Sequence, residues 1–313
     1  MMFKYHQATK HTVESIFRNQ HFLNWDTMPD PFRHYDGVPV VDLPADPPPP
    51  GMAMLDVLNG IAGERVAASG ADFLSTLLFY AASISASKVV PSTGYRYALR
   101  VNPSSGNLHP TEFHFVTRGL AGWEDGLYHY RVSSHMAELR AKGDPLPEVA
   151  PQAAVVFVLT SIAWREAWKY QSRAYRYCLH DVGHAWQALA LSAQACGWRA
   201  RAIGEFPDDA VAEALRLTDE WPMLLLALEG ETAGDSKPVA WLDGVPNCLS
   251  METVTYPSIE EMHEASKKKA WRAAVAADRA AGVVTGRGRP FGETVRGRRS
   301  ALDFVGGDRS IGL

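Results

Sequence analysis

Arg100-Val-Asn-Pro-Ser-Ser-Gly-Asn-Leu-His-Pro-Thr-Glu112 is the stretch on which the reading of this chain turns. Two serines, a glycine and an amide lie fenced between Pro103 and Pro110. Each proline fixes its own φ and biases the residue before it toward extended backbone, so the segment reads as a rigid turn. Such a turn can present backbone N–H groups, the Ser104 and Ser105 hydroxyls and the Asn107 amide to a planar heterocycle with an acceptor-rich edge. The same residues also suit a plain Asx or Ser-Gly turn leading into a strand at 112. Composition alone leaves both readings open.

Beyond the turn, residues 112–117 and 127–131 are short, aromatic and β-branched, separated by the polar 119–126, and read as two sheet strands. Residues 154–159 and 223–228 are near-continuous apolar runs, the pattern of strands buried on both faces. Phe73, Leu74, Leu77, Leu78 and Ala81 recur at helical spacing. A longer helical pattern covers 173–196, extends back to Lys169 and has Gly197 as its stop. Helices alternating with buried strands predict a mixed α/β or α+β core.

Composition divides the 313 residues into three regions. Residues 1–50 are rich in His, Asp, Pro and aromatics and close on Pro47–Pro50, a run that cannot join a helix or a central strand. They read as an arm laid on a surface. Residues 51–250 carry the periodicity of a packed domain. Residues 251–313 turn basic, with ten Lys/Arg against Asp278 and Glu293 between 267 and 299. There the Ala-rich 265–281 predicts a helix, and 282–297 a loose Gly/Arg-rich linker.

With 46% hydrophobic and 21% charged residues, the composition is that of a soluble globular chain. A net charge of −4 is too near neutral for a dedicated nucleic-acid binder. No apolar run approaches the ~18 residues of a membrane span, and 1–10 lacks the apolar core of a signal peptide. Cys178, Cys196 and Cys248 have no metal-ligand spacing and cannot all pair, which fits a reducing, cytoplasmic setting.

Two more segments could carry chemistry. Treated as one helix, Lys169, Arg173, Arg176 and His180 fall within about 60° of one another, with His184 at the edge of the stripe. An apolar face centred on Tyr175, Val182, Trp186, Leu189 and Ala193 lies roughly 150° away. A cationic stripe opposite the core is either a solvated face or an anion or catalytic site. With no Glu or Cys beside the two histidines on that face, a zinc site is rejected. The second segment, Arg201-Ala-Ile-Gly-Glu-Phe206, is a strand–turn–helix junction whose glycine lets backbone approach a ligand.

In this order and spacing, the three segments resemble the FMN-dependent nitroreductase-like superfamily. Pro103-Ser-Ser-Gly-Asn-Leu-His-Pro110 is similar to its Pro-Ser-Ser/Ala-x-Asn-x-Gln-Pro flavin loop, with His109 where Gln is usual. Gly197, Ile203-Gly-Glu-Phe206 and the run at 223–229 resemble the turn that faces the flavin's reactive central-ring nitrogen, and its closing strand. Arg100, Lys169-Tyr-Gln-Ser-Arg-Ala-Tyr-Arg176 and Asp181-Val-Gly-His184 look closest to the SagB/ThcOx-type dehydrogenases, which oxidise peptide azolines. The resemblance covers about 70–230. It departs ahead of the first helix, where the superfamily's phosphate-clamping Arg-Arg-Ser box is missing from 51–70. Arg298-Arg-Ser-Ala-Leu-Asp-Phe304 resembles that box. The chain therefore looks like the first unit of a tandem two-unit protein.

The resemblance implies an α+β nitroreductase-like fold, a central mostly antiparallel sheet flanked by helices, with FMN held non-covalently. It implies cofactor contacts from Arg100, Pro103, Ser104, Ser105, Asn107, Arg173, Ile203, Gly204, Glu205, Arg298, Arg299 and Ser300, and no metal. Lys169 and Tyr170 would remove the substrate proton as hydride leaves for flavin, with Arg173 and Arg176 easing the lysine toward its neutral form. The substrate would be peptide-derived or a small heterocycle, and the partner a second such unit in a homodimer or pseudo-dimer. The alternatives are an NAD(P)H-dependent nitro, quinone or ene reductase, or a non-catalytic scaffold on the same fold.

Overall fold

A computed structural model describes residues 1–300 except 20, 66–68, 243, 273–284 and 287. The arm begins with helices α1 (Met2–Thr9) and α2 (Val13–Arg18), followed by short strands β1 (Tyr35–Asp36) and β2 (Val40–Asp42). After α3 (Met54–Leu58) comes α4 (Gly70–Ala81), capped by the Ser69 side chain accepting from Asp72 N. Strands β3 (Ile84–Val89) and β4 (Arg96–Arg100) pair as a separate hairpin that delivers the chain to the 103–110 turn.

From the turn onward the chain builds the central sheet with β5 (Thr111–Thr117), β6 (Gly126–Arg131), β7 (Met136–Lys142) and β8 (Ala153–Ser161). Helices α5 (Ala163–Tyr170) and α6 (Ala174–Ala195) follow, then β9 (Arg199–Ile203), α7 (Asp208–Ala214) and β10 (Trp221–Thr232). Short β11 (Ala240–Trp241) and β12 (Val245–Pro246) precede α8 (Pro257–Ser266) and α9 (Phe291–Gly297). The sheet runs β11-β7-β6-β5-β8-β10-β9, with β2 also on β7, and every pairing described in it is antiparallel. The predicted α+β fold is the observed one.

The apolar runs at 154–159 and 223–228 are continuous because β8 and β10 are covered on both sides. Val155, Phe157 and Leu159 join Phe73, Leu74, Leu77, Val182, Ala185 and Leu189 under α4 and α6. Val156, Val158, Leu225 and Ala227 pack with Val211 and Leu215 of α7 on the opposite face.

Three expectations change. The pattern from Lys169 to Cys196 is not one helix: Gln171, at φ +50°, ends α5, and a 3-10 turn leads into α6. Lys169 therefore leaves the helical wheel that grouped it with Arg173, Arg176 and His180. Residues 267–272 are not helical, since α8 stops at Ser266, and the rest of the predicted 265–281 helix lies outside the described residues. The end of the supposed linker is helix α9, because Phe291 inserts beside Val57, Tyr80 and Ala195 and is fully buried. The arm is also tied in deeply: β1 pairs β12, β2 pairs β7, and Arg33 and Tyr35 are buried.

Candidate functional site

Gly106 (φ +59°), Asn107 (φ +61°) and His109 (φ +51°) all take left-handed backbone in the 103–110 turn. Glycine is favoured at 106: any side chain is strained at this φ, and a methyl group there would stand 2.8 Å from Tyr170 Oη and 3.1 Å from Lys169 Nζ, so both side-chain ends would have to shift. The end of α5 therefore rests directly on the turn, and the structure brings Lys169 and Tyr170 to it. Lys169 lies 5.5 Å from the centre of the Tyr170 ring. Burial, followed by the Glu166 carboxyl, pushes the Tyr170 phenol up to about 12. A phenol so placed keeps its proton and serves as a hydrogen-bond donor rather than as a base.

The turn's polar side chains are tied down by the protein. Ser104 Oγ (2.6 Å) and Ser105 Oγ (2.8 Å) donate to the Asp181 carboxylate, as does Ser105 N (3.0 Å). Ser104 Oγ also accepts from His109 N at 2.7 Å. Asn107 Nδ2 donates to Ala98 O at 2.9 Å, and its Oδ1 meets His109 Nε2 at 3.1 Å. These bonds pre-form the turn.

Two cavities share it. One, of about 330 Å³, is lined by Arg100, Pro103, Ser104 and Asn107 and, from the far end of the chain, Arg298, Arg299 and Ser300. The docking of α9 through Phe291 explains the long-range convergence, and Arg298 Nε reaches Val101 O at 3.2 Å. Arg100 is buried, and its Nε and Nη1 have no hydrogen-bond partner among the described residues. Burial lowers its guanidinium to about 10, so it remains cationic at neutral pH. The Arg100 guanidinium turns toward the arm, donating to Pro31 O and lying over the Phe32 ring, so the donors of this cavity suited to a phosphate are Arg298, Arg299 and Ser300.

The other cavity, of about 520 Å³, is mostly apolar. The arm supplies Trp25, Met28 and Phe32, the hairpin supplies Tyr95 and Tyr97, and His109 and Lys169 bring polar atoms. Trp25 packs edge-on against Trp168 with ring centres 5.3 Å apart.

Other expected site residues fall elsewhere. Arg173 bonds Thr9 O and, at 3.0 Å, Tyr177 Oη, while Arg176 Nε reaches Thr9 Oγ1 at 2.9 Å. Both arginines fasten α1 to α6. Ile203 is buried, and Gly204 and Glu205 line neither cavity. Glu205 sits in a third cavity with Lys267, Lys268, Lys269 and Arg272. No group of His, Cys, Asp and Glu that could hold a metal ion occurs among the described residues.

The family model named Nitroreductase family matches residues 81–230. Residues 81–230 are a nitroreductase-family domain. This is an enzyme domain, of the oxidoreductase class to which that family belongs. A nitroreductase-like protein of Methanocaldococcus jannaschii is 28% identical over 136 residues, covering 40% of this chain and 67% of that one. The trifolitoxin-processing protein TfxB of Rhizobium leguminosarum bv. trifolii is 28% identical over 160 residues, covering 47% of this chain and 43% of TfxB. In fold, a nitroreductase-like protein of Anabaena variabilis superposes with a TM-score of 0.64 and 24% identity, covering 89% of this chain and 55% of that one. The chain thus spans about half the length of TfxB and of the Anabaena protein.

The nitroreductase domain does not hold the whole site. Trp25, Met28 and Phe32 precede it and Arg298 to Ser300 follow it. Among the residues sequence reasoning passed over is Arg165, which bonds Glu112, His109 O and Asp30 O and so locks arm, turn and α5 together. Its signal was there in an arginine on the buried side of a helix, a residue type that is rarely buried unless paired.

Proposed function

We propose that this protein binds FMN non-covalently at the turn and acts as a SagB-type dehydrogenase on a peptide-derived or small heterocyclic substrate. One observation carries the cofactor reading: Arg298, Arg299 and Ser300 share a cavity with Arg100, Ser104 and Asn107, although about 200 residues of chain separate them. Planar guanidiniums give a phosphate bidentate contacts, and the serine hydroxyl adds a further donor. When bound, FMN supplies hydride acceptance, which sets the reaction class.

The chain's own residues do the rest. Pro103 to Asn107 would form the wall that holds the cofactor. The cavity of Trp25, Met28, Phe32, Tyr95 and Tyr97 excludes water and orients the substrate's apolar body. Lys169 stands at the turn as the group that takes a proton from substrate, and Tyr170 donates a hydrogen bond beside it. Similarity to a trifolitoxin-processing protein favours a processing role over simple nitro reduction. Because Gly204 and Glu205 lie away from this turn, they serve the matching site of a second nitroreductase-like unit, in a homodimer or a pseudo-dimer. The 55% span of the Anabaena protein supports two units.

The test is flavin affinity. Purified protein should carry flavin absorbance and release FMN rather than FAD. Charge reversal at Arg298 and Arg299 together should weaken FMN binding at least about tenfold, since each bond to a charged group is worth roughly 1.5–3 kcal/mol. Charge reversal at Lys4 and Lys10 makes the same change in net charge on the exposed arm, where attraction is screened within about 10 Å. It should change affinity less than about twofold. Equal dissociation constants for both variants would exclude the clamp.

A further inference from the structure

Helices α5 and α6 meet under the turn with two carboxyl groups between them. Asp181, on α6, is surrounded by donors from Ser104 Oγ, Ser105 Oγ and Ser105 N at 2.6–3.0 Å. Glu166, on α5, faces Asp181 and has no exposed surface, and among the described residues neither of its oxygens meets a donor. Two ionised carboxylates facing each other in a dry site repel, and each would lack part of its solvation. Two acceptors can hydrogen-bond only when one carries a proton. Donors converge on Asp181 and none reach Glu166, so the charge belongs on Asp181 and the proton on Glu166.

We infer that Glu166 is a protonated carboxylic acid that donates to the Asp181 anion and, through it, positions the Ser104–Ser105 turn. The titration direction agrees. Burial first, and then the Asp181 charge, push Glu166 well above the ordinary carboxylate range, with Lys169 opposing. Burial also raises Asp181, while the Ser104 and Ser105 donors and His184 hold it back. The other titratable groups near the pair are Tyr170 and Cys178, both kept protonated chiefly by burial, so neither supplies a compensating charge. Glu166 is a positioning residue: it acts on the turn only through Asp181. The inference concerns the chain without ligand and stands apart from the flavin reading.

The sign of the pH effect follows. The unfolded chain releases the Glu166 proton in the ordinary carboxylate range, whereas the folded chain keeps it. Folded protein therefore binds more protons above that range, and stability falls as pH rises toward the folded-state titration. Ionisation would set two anions back to back and loosen the hold on the turn.

Urea unfolding of the flavin-free 313-residue chain from pH 5 to 9 tests this with Glu166→Gln, Glu166→Ala and the unchanged protein. Glutamine keeps the shape and still donates to Asp181, but cannot titrate. At pH 5, Glu166→Gln should unfold with an equilibrium constant within about threefold of the unchanged protein, whereas Glu166→Ala should be at least about tenfold worse. As pH rises, Glu166→Gln should gain on the unchanged protein, by up to about tenfold per unit for one proton. FMN affinity of the unchanged protein should hold while the folded chain keeps the Glu166 proton and weaken only at the folded-state titration, where that of Glu166→Gln should not change. Parallel pH curves for the two proteins, or a glutamine variant as damaged as the alanine one at pH 5, would overturn the inference. If the unfolding curves diverge as expected but no FMN binds, the flavin reading fails alone. If FMN binds and the curves stay parallel, the proton assignment fails alone.

Discussion

The two faces of the central sheet are built on opposite principles. Under α4 and α6 the face is apolar throughout, with Phe113, Phe115, Val155, Phe157 and Leu159 meeting leucines and alanines of the two helices. The other face is apolar only beneath α7. Under the arm it is ionic: Glu112, His114, His129, Glu138 and Glu220 are all buried there, with Arg33, Arg140 and Arg165 closing over them. His129 lies between Glu138 (2.9 Å) and Glu112 (3.2 Å), and His114 contacts Glu220 at 2.9 Å. Burial works against the His129 cation, but the two carboxylates prevail and raise it, whereas burial lowers His114. Apolar packing tolerates small shifts. A buried charge layer does not, because removing one member strands the others. The ionic half thus fixes where the arm, and with it the wall of the larger cavity, can sit.

The sharpest way to break this comparison is Glu220→Ala. Glu220 receives Tyr35 Oη (3.0 Å) and Thr160 Oγ1 (2.5 Å), pairs with His114, and lies 3.3 Å from Arg33 Nε. Its loss leaves Arg33 with Asp219 as its remaining carboxylate and strips the Tyr35 and Thr160 hydroxyls of their acceptor in a buried site, so chemical denaturation should show about 3–5 kcal/mol of destabilisation. Leu159→Ala on the apolar face should cost about 2–5 kcal/mol, through lost burial and a cavity only. A Glu220→Ala cost below 1 kcal/mol would mean that the ionic layer is not what holds the arm.

Acid separates the two faces further. Burial alone would raise Glu112, but Arg165, His129 and Arg100 outweigh it and hold the carboxyl at about 2. Glu220 is likewise held well below the ordinary range, chiefly by His114 and Arg33 against its burial. Their folded values lie below their unfolded ones, so the stability they contribute is present above the ordinary carboxylate range and is lost as pH falls toward 2. For Glu112 that is on the order of 3 kcal/mol. Glu112→Gln should flatten the acid limb of the stability curve, while Leu159→Ala should lower the whole curve without changing its slope. An unchanged acid limb in Glu112→Gln would place its titration at an ordinary value.

Much of this was legible in residue order. The helix at 73–81 and the strands around 112–117, 127–131, 154–159 and 223–228 stand where period and apolar runs put them. The turn was legible too, because its prolines and Gly106 act locally. What escaped depends on neighbours distant in sequence. Glu112 and His114 alternate with Phe113 and Phe115, a pattern that usually sends the polar face to water, and only the arm's return roofs it. The break at Gln171 has no proline or glycine to announce it. Strand β7, Met136-Ala-Glu-Leu-Arg-Ala-Lys142, escaped because its residues are common in helices as well. Grouping Lys169 with Arg173 assumed a continuous helix, and with that assumption the stripe fails.

The smallest expected effect completes the series, because it places the same chemistry in water. Arg201 on β9 and Glu229 on β10 form an ion pair at 2.7 Å, each side chain 41% exposed. Strand β9 is the sheet's edge, so water reaches both partners and the pair already competes with solvent for its hydrogen bonds. Double-mutant cycles on such pairs give roughly 0.2–1 kcal/mol. Neutralising both, as Arg201→Gln with Glu229→Gln, should therefore change stability by less than about 1 kcal/mol. Salt offers an independent check: at 1 M the screening length shrinks to about 3 Å, so the coupling between the two positions should fall toward zero. The coupling between Glu220 and Arg33, sealed from solvent, should survive the same salt nearly unchanged. If the exposed pair proved as costly to remove as Glu220, or the buried pair as salt-sensitive as Arg201–Glu229, then burial would not be what separates the two, and the ionic layer would have no special hold on the arm.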